Sequence, residues 1–192
     1  MIYFSRAEGG QMMNVGKISS KIALCGILTA LSVISMMIAG LLGVLTYAAP
    51  MIAGGVMIIP QRQYGKGTAF TMFAAVSLLG MILIPDREMA LIYLFLFGHS
   101  PILQPLLNGI VRKPLRILLK AAVFNAGALL TVLLAKLLFA IPILDAENYL
   151  WLLAAGYLAA ANICFFLYDR ALMGFYAIYD ARFSRIMDKY FR

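Results

Sequence analysis

Read from its amino terminus, the chain alternates long apolar runs with short polar breaks, and the runs have the length of membrane-crossing helices rather than of strands. A helix needs roughly 20 apolar residues to cross a hydrocarbon core of about 30 Å. Six runs approach that length: Ser19–Leu42, Val44–Pro60, Thr68–Ile84, Met89–Val111, Leu115–Ile143 and Tyr149–Leu172. The second is short and rich in Gly and Ala. The pattern predicts an all-α, polytopic membrane protein with six transmembrane helices. It divides the chain into a leader at 1–18, a six-helix domain at 19–172 and a tail at 173–192. The first apolar run is too long for the core of a signal peptide and has no small-residue cleavage site, so it is expected to be retained. Met12 and Met13 are alternative starts, because the stretch before them, MIYFSRAEGGQ, has no apolar run.

Within the first run, KISSKIALCGILTALSV (Lys17–Val33) raises a structural question. Ser19, Ala23, Gly26 and Ala30 fall on one face of a 3.6-residue helix, spaced four, three and four apart. Ile22, Leu24, Ile27, Leu28 and Leu31 cover the rest. A strip without side chains either packs closely against a neighbour in the same chain or docks another protein.

Composition supports the membrane reading. Of the 192 residues, 64% are hydrophobic and 12% charged, with a mean hydropathy of +0.93. A soluble domain is about half apolar and a quarter charged, so this chain has too few charges to coat a water-exposed globule. Charge then sets direction. Arg6, Lys17 and Lys21 precede the first run; Arg62 and Lys66 follow the second. Arg112, Lys113, Arg116 and Lys120 follow the fourth, and Arg170, Arg182, Arg185, Lys189 and Arg192 close the chain. With six spans, these fourteen of the sixteen basic residues share one side, whereas Asp86, Glu88, Asp145 and Glu147 lie on the other. Cytoplasmic loops collect Lys and Arg, so both termini are expected in the cytoplasm. The net charge of +8 thus reflects topology; spread over every inner loop without a binding module, it does not point to nucleic acid. In the tail, Phe175, Ile178, Tyr179, Phe183, Ile186 and Tyr190 recur at helical spacing among basic residues. That reads as a helix lying on the inner leaflet, with partner binding as its rival.

Candidate chemistry is sparse. His99 is the only histidine, so no histidine pair can hold a metal, and no nucleophile, zinc or nucleotide motif occurs. Gly65-Lys66-Gly67-Thr68 lacks the upstream glycine of a phosphate loop. Cys25 and Cys164 sit in apolar runs with no ligand or disulfide pattern. The chain is therefore read as a non-enzyme without cofactor or resident metal. Polar residues at membrane depth either join helices or line a site. His99, Ser100, Gln104 and Asn108 lie in the fourth run, where Pro101 and Pro105 each remove a helix hydrogen bond. Asn125 and Asn162 lie deep in the fifth and sixth runs. Lys136 either snorkels to the outer interface or faces inward. Tyr47, in LLGVLTYAAP between the first two runs, sits either in a lid or in an ordinary turn. The IPDREMA connection reads as a solvated turn. Tyr47, His99, Asn125, Lys136 and Asn162 are the candidate ligand contacts, with helix-joining as the competing role.

Six spans, a basic lead-in, internal ends and small residues on the first helix together resemble the S components of energy-coupling factor (ECF) transporters. The likeness runs from about Val15 to the end. That family's first helix carries an Ala-xxx-Ala strip; the nearest match here is Gly26-Ile-Leu-Thr-Ala30, extended by Ala23 and Ser19, with Gly in place of the first Ala. The resemblance implies a substrate-capturing subunit for a vitamin or related micronutrient in the cytoplasmic membrane. Its partners would be a T component, docked on Ser19, Ala23, Gly26 and Ala30, and two cytoplasmic ATPases. Substrate would bind in the outer half of the bundle, beneath the loop around Tyr47. The N-terminal His-rich pattern of nickel and cobalt uptake is absent, so a metal cargo is not expected. The alternative is a membrane scaffold or assembly protein using the same strip as a constitutive interface. A lone secondary transporter would favour acidic residues in mid-membrane, which the sequence places instead at ends and loops.

Overall fold

The computed structural model describes residues 4–43, 45–139 and 150–183, and among these every regular element is helical. α1 (Phe4–Leu42) is a single long helix that runs back through most of the predicted leader. α2 (Ala48–Val56) and α3 (Ile58–Tyr64) follow, then α4 (Lys66–Leu83). The next stretch comprises α5 (Arg87–Ile92), a π-helical turn (Tyr93–Phe97) and α6 (Ser100–Asn108). α7 (Lys113–Phe139) and α8 (Leu150–Ile178) complete the bundle, with a second π turn at Tyr179–Phe183.

Among the described residues, five stretches are long and apolar enough to cross a membrane: Ile18–Leu42, Lys66–Leu83, Arg87–Asn108, Lys113–Ala135 and Leu158–Arg182. The predicted second span is the exception, because it breaks at Met57 into α2 and α3. Pro60 supplies the reason: it has no N–H for the carbonyl of Val56, and its ring crowds that carbonyl. The predicted fourth span is broken too. Pro101 cannot donate to Phe97, and the helix resumes at Ser100 after a bend at Gly98 and His99. The described part of the tail, from 173 to 183, is helical, as predicted, and is continuous with α8; residues 184–192 and the Asp145/Glu147 connection lie outside the described residues.

Local signals explain the corners. Pro85 pushes Ile84 into an extended conformation and ends α4. In IPDREMA, Asp86 caps α5 by accepting from the Met89 N–H at 3.1 Å, and Arg87 donates back to the Met81 carbonyl. Gly65 turns the chain between α3 and α4 at φ +89°, a conformation that only glycine adopts freely.

Two apolar clusters share α5 and the π turn that follows it. The first joins Leu24, Met36 and Ala39 of α1 to Ala53 of α2, Met72 and Val76 of α4, and Met89 and Tyr93. The second joins Ile92, Leu96 and Phe97 to Phe124 of α7 and to Phe165, Tyr168 and Leu172 of α8. Elsewhere the bundle turns large apolar side chains outward, among them Ile22, Leu31, Ile82, Leu118, Leu129 and Leu167. Such a surface is unstable in water and suits lipid.

Polar contacts sort the ends of the bundle. At one end Lys21 lies over the Tyr64 ring at 5.8 Å, Arg62 pairs with Asp180 at 2.7 Å, and Lys120 pairs with Asp169 at 2.7 Å. At the other, Gly40 lies against Asp86, and Tyr47 Oη is 3.3 Å from Glu88 Oε1. Among the described residues, Lys21, Arg62 and Lys120 thus lie toward one end together with Asp169 and Asp180, and Asp86 and Glu88 lie toward the other.

Candidate functional site at a broken helix

The interior is organised around the break in the fourth predicted span. Gly98 N–H donates to Tyr93 O at 2.7 Å, closing the π turn. A break of this kind leaves backbone carbonyls without helical donors, and in an apolar interior each must find a partner. Side chains supply them. Pro101 deprives Phe97 O, and Tyr168 Oη approaches that oxygen at 3.4 Å. Pro105 deprives Pro101 O, and Tyr176 Oη lies 2.8 Å from it and 2.7 Å from Gln61 Oε1. Ser100 Oγ donates to Leu96 O at 2.6 Å, and the His99 ring bonds the Leu94 carbonyl. Two prolines four residues apart on one helix are thus matched by two tyrosines eight apart on another.

Glycine lets neighbours approach these carbonyls. A Cβ on Gly127 of α7 would lie 2.2 Å from Phe95 O, and one on Gly54 of α2 would lie 2.6 Å from both Phe97 O and Tyr168 Oη. The break in α2–α3 and the break before α6 therefore meet in the middle of the bundle. Interrupted helices meeting at membrane depth are the arrangement by which transporters expose backbone to a ligand, and π turns concentrate at functional sites.

Toward the basic end, a polar cluster joins α6, α7 and α8. Lys120 Nζ lies 2.7 and 2.8 Å from the two carboxylate oxygens of Asp169. Gln104 Nε2 donates to Asp169 O at 3.1 Å and to Asp169 Oδ1 at 3.2 Å. Lys120 and Gln104 are almost fully buried. Beside them is a cavity of about 20 Å³, lined by His99, Ser100, Gln104, Lys120 and Asp169 and by the stacked rings of Phe124 and Phe165. Isolated charges at this depth would be costly; pairing is what makes them tolerable.

The five candidate ligand contacts do not form one site. Tyr47 is at the acidic end with Glu88, whereas His99 lines the cavity near the cluster. Asn125 and Asn162 bond each other through both amides at 3.0 Å, and each also donates to the carbonyl four residues before it. They sit about 7–10 Å along α7 and α8 from Lys120 and Asp169, at 1.5 Å per residue, and their geometry is that of a clasp between two helices. The Lys136 side chain lies outside the described residues. Sequence reasoning passed over Asp169, Tyr168 and Tyr176, and assigned Lys120 to the basic loop. The available signal was arithmetic: a proline at position i frees the carbonyl at i−4, so Pro101 and Pro105 demand two donors from a neighbouring helix.

The small-residue strip of α1 receives a clear answer. Ser19, Ala23, Gly26 and Ala30 all face outward, and a Cβ on Gly26 would meet nothing within 4 Å. The opposite face, with Leu24, Leu28, Ser32 and Met36, packs on the bundle. Among the described residues no group of His, Cys, Asp and Glu could hold a metal ion.

These features define a class: an all-helical protein with several apolar helices able to span a membrane, consistent with a multi-pass membrane protein. No family model, curated protein or solved structure matches the chain.

Proposed function

We propose that the chain is the substrate-capturing membrane subunit of an ECF-type importer for a vitamin or related micronutrient. In this reading it has six spans, counting the broken α2–α3 pair, and both termini lie in the cytoplasm. The observation that carries it is the outward, unpartnered strip of Ser19, Ala23, Gly26 and Ala30. The strip lies on the half of α1 nearer the basic end, where a T component and its two ATPases would engage it, and small residues permit the close backbone approach of such docking. A second feature supports substrate capture in the other half. The hydroxyls of Ser32 on α1, Ser77 on α4 and Tyr93 in the π turn are buried without hydrogen-bond partners. Counting 1.5 Å per residue from the corner where Gly40 meets Asp86, they lie at a similar depth, about 10–14 Å below it. A polar ligand beneath the Tyr47 loop would satisfy them.

Replacing Gly26 or Ala30 with Leu tests the proposal. Tagged wild-type protein, purified in mild detergent and analysed by native mass spectrometry, is expected to carry a T component, two ATPases and a small-molecule adduct. The Leu variants lose the protein partners and keep the adduct. Normal uptake and an intact complex in the Leu variants would sink the coupling assignment. Tyr93→Phe removes one of these buried hydroxyls and is expected to weaken substrate affinity; unchanged affinity would count against capture in this half.

The scaffold reading has its own support. The Asn125–Asn162 pair is closed on itself, and the cavity at the polar cluster measures only about 20 Å³. A preparation that carries only cell-envelope proteins and no adduct would favour it.

A further inference from the structure

The polar cluster of α6, α7 and α8 has an unmatched hydrogen-bonding inventory. Lys120 carries three donors, and Asp169 Oδ1 and Oδ2 account for two. Both N–H groups of the Gln104 amide are directed at Asp169. That orientation fixes its oxygen, and Gln104 Oε1 is buried without a donor. Gln104 is only 2% exposed, so bulk water does not solvate it. An unmatched carbonyl at such a depth costs about 1–3 kcal/mol. Ser100 Oγ, already donating to Leu96 O, has lone pairs to offer, and with the His99 ring it lines the same cavity. The lining therefore presents several acceptors and one spare donor.

We propose that this chamber is a hydration site, binding one water molecule that accepts from Lys120 Nζ and donates to Gln104 Oε1. Size and chemistry agree. The cavity of about 20 Å³ exceeds the roughly 10–15 Å³ that a single water needs and is too small for an organic ligand. Water supplies two donors and accepts the remaining N–H, the complement of this lining. A second ion pair or a metal would not fit, because Asp169 is already neutralised by Lys120. The bound water completes a network that ties three helices together beside the break. The site does not depend on the importer assignment.

Radiolytic hydroxyl-radical labelling of the intact protein in lipid nanodiscs tests it, because radicals generated from a bound water modify the side chains that surround it. Tyr168, Phe124 and Phe165, all buried and all lining the chamber, are expected to be labelled. Gln104→Leu removes the acceptor and abolishes labelling at the chamber. Absence of label at Tyr168, Phe124 and Phe165 in the wild type overturns the proposal, whether or not the variant folds. Label that persists unchanged in folded Gln104→Leu overturns it also, since the source would then be a solvent-open crevice.

Discussion

Tyr176 and Pro105 make a matched pair at the scale of single residues. Proline removes the N–H that Pro101 O would have received, and the phenol stands 2.8 Å from that oxygen. Tyr176→Phe leaves the carbonyl unmet and is expected to cost about 1–3 kcal/mol. In a Pro105→Ala background the restored N–H at position 105 can bond Pro101 O, so the same Tyr176→Phe change should cost clearly less. Denaturant unfolding in detergent reads both sides of this cycle, and equal costs in the two backgrounds would refute the pairing. Asn125 and Asn162 obey a similar logic. Each single change to Leu strands the partner's amide, whereas the double change removes both polar groups from the seam. Cross-helix bonds in membranes average about 0.6 kcal/mol and reach about 1.7, so each single loss should be modest and the double variant less destabilised than the sum.

Glycine decides how closely the elements approach. Gly127 meets Phe95 O so tightly that even a methyl group would collide with backbone, which cannot swing aside. Gly127→Ala is expected to cost about 1–3 kcal/mol, the usual range for overpacking. Gly26→Ala and Gly156→Ala are expected to leave stability unchanged or raise it by up to about 1 kcal/mol, since open space surrounds both and alanine favours helix. Melting curves of the three variants compare these directly. The sequence shows all three as glycines in apolar helices and does not distinguish them. What differs is the facing element, which sequence alone does not supply. The helix breaks were half legible: Pro60, Pro101 and Pro105 announce where hydrogen bonds fail. Whether a proline yields a gentle kink or a π turn with a bend depends on which neighbours can receive the freed carbonyls.

For the whole molecule, the ends of the bundle make the strongest claim. Lys21, Arg62, Lys120 and Asp180 belong to one end, and Tyr47, Asp86 and Glu88 to the other. If the basic end is cytoplasmic, single cysteines at positions 62, 112 and 182, introduced after replacing Cys25 and Cys164, will be protected from an impermeant thiol reagent in intact cells. A cysteine at position 88 will react. Single cysteines at positions 47 and 62 that behave alike would show that the broken α2–α3 pair does not cross the membrane. That result would leave five crossing helices and place the chain's two ends on opposite sides.

Helical content and the approximate limits of the first, third and fourth spans were determined by the sequence, because both depend on local hydrophobicity that holds wherever the helix packs. The outward position of the Ser19–Ala30 strip was not, since a face of small residues fits a tight interior contact and an open surface equally well. Only the packed bundle, with Leu24, Leu28 and Met36 turned inward, separated the two. The same holds for Lys120. Its charge and its place after the fourth span suggested a solvated loop residue, but α8 brings Asp169 and α6 brings Gln104 to it, and pairing across three helices makes its burial tolerable.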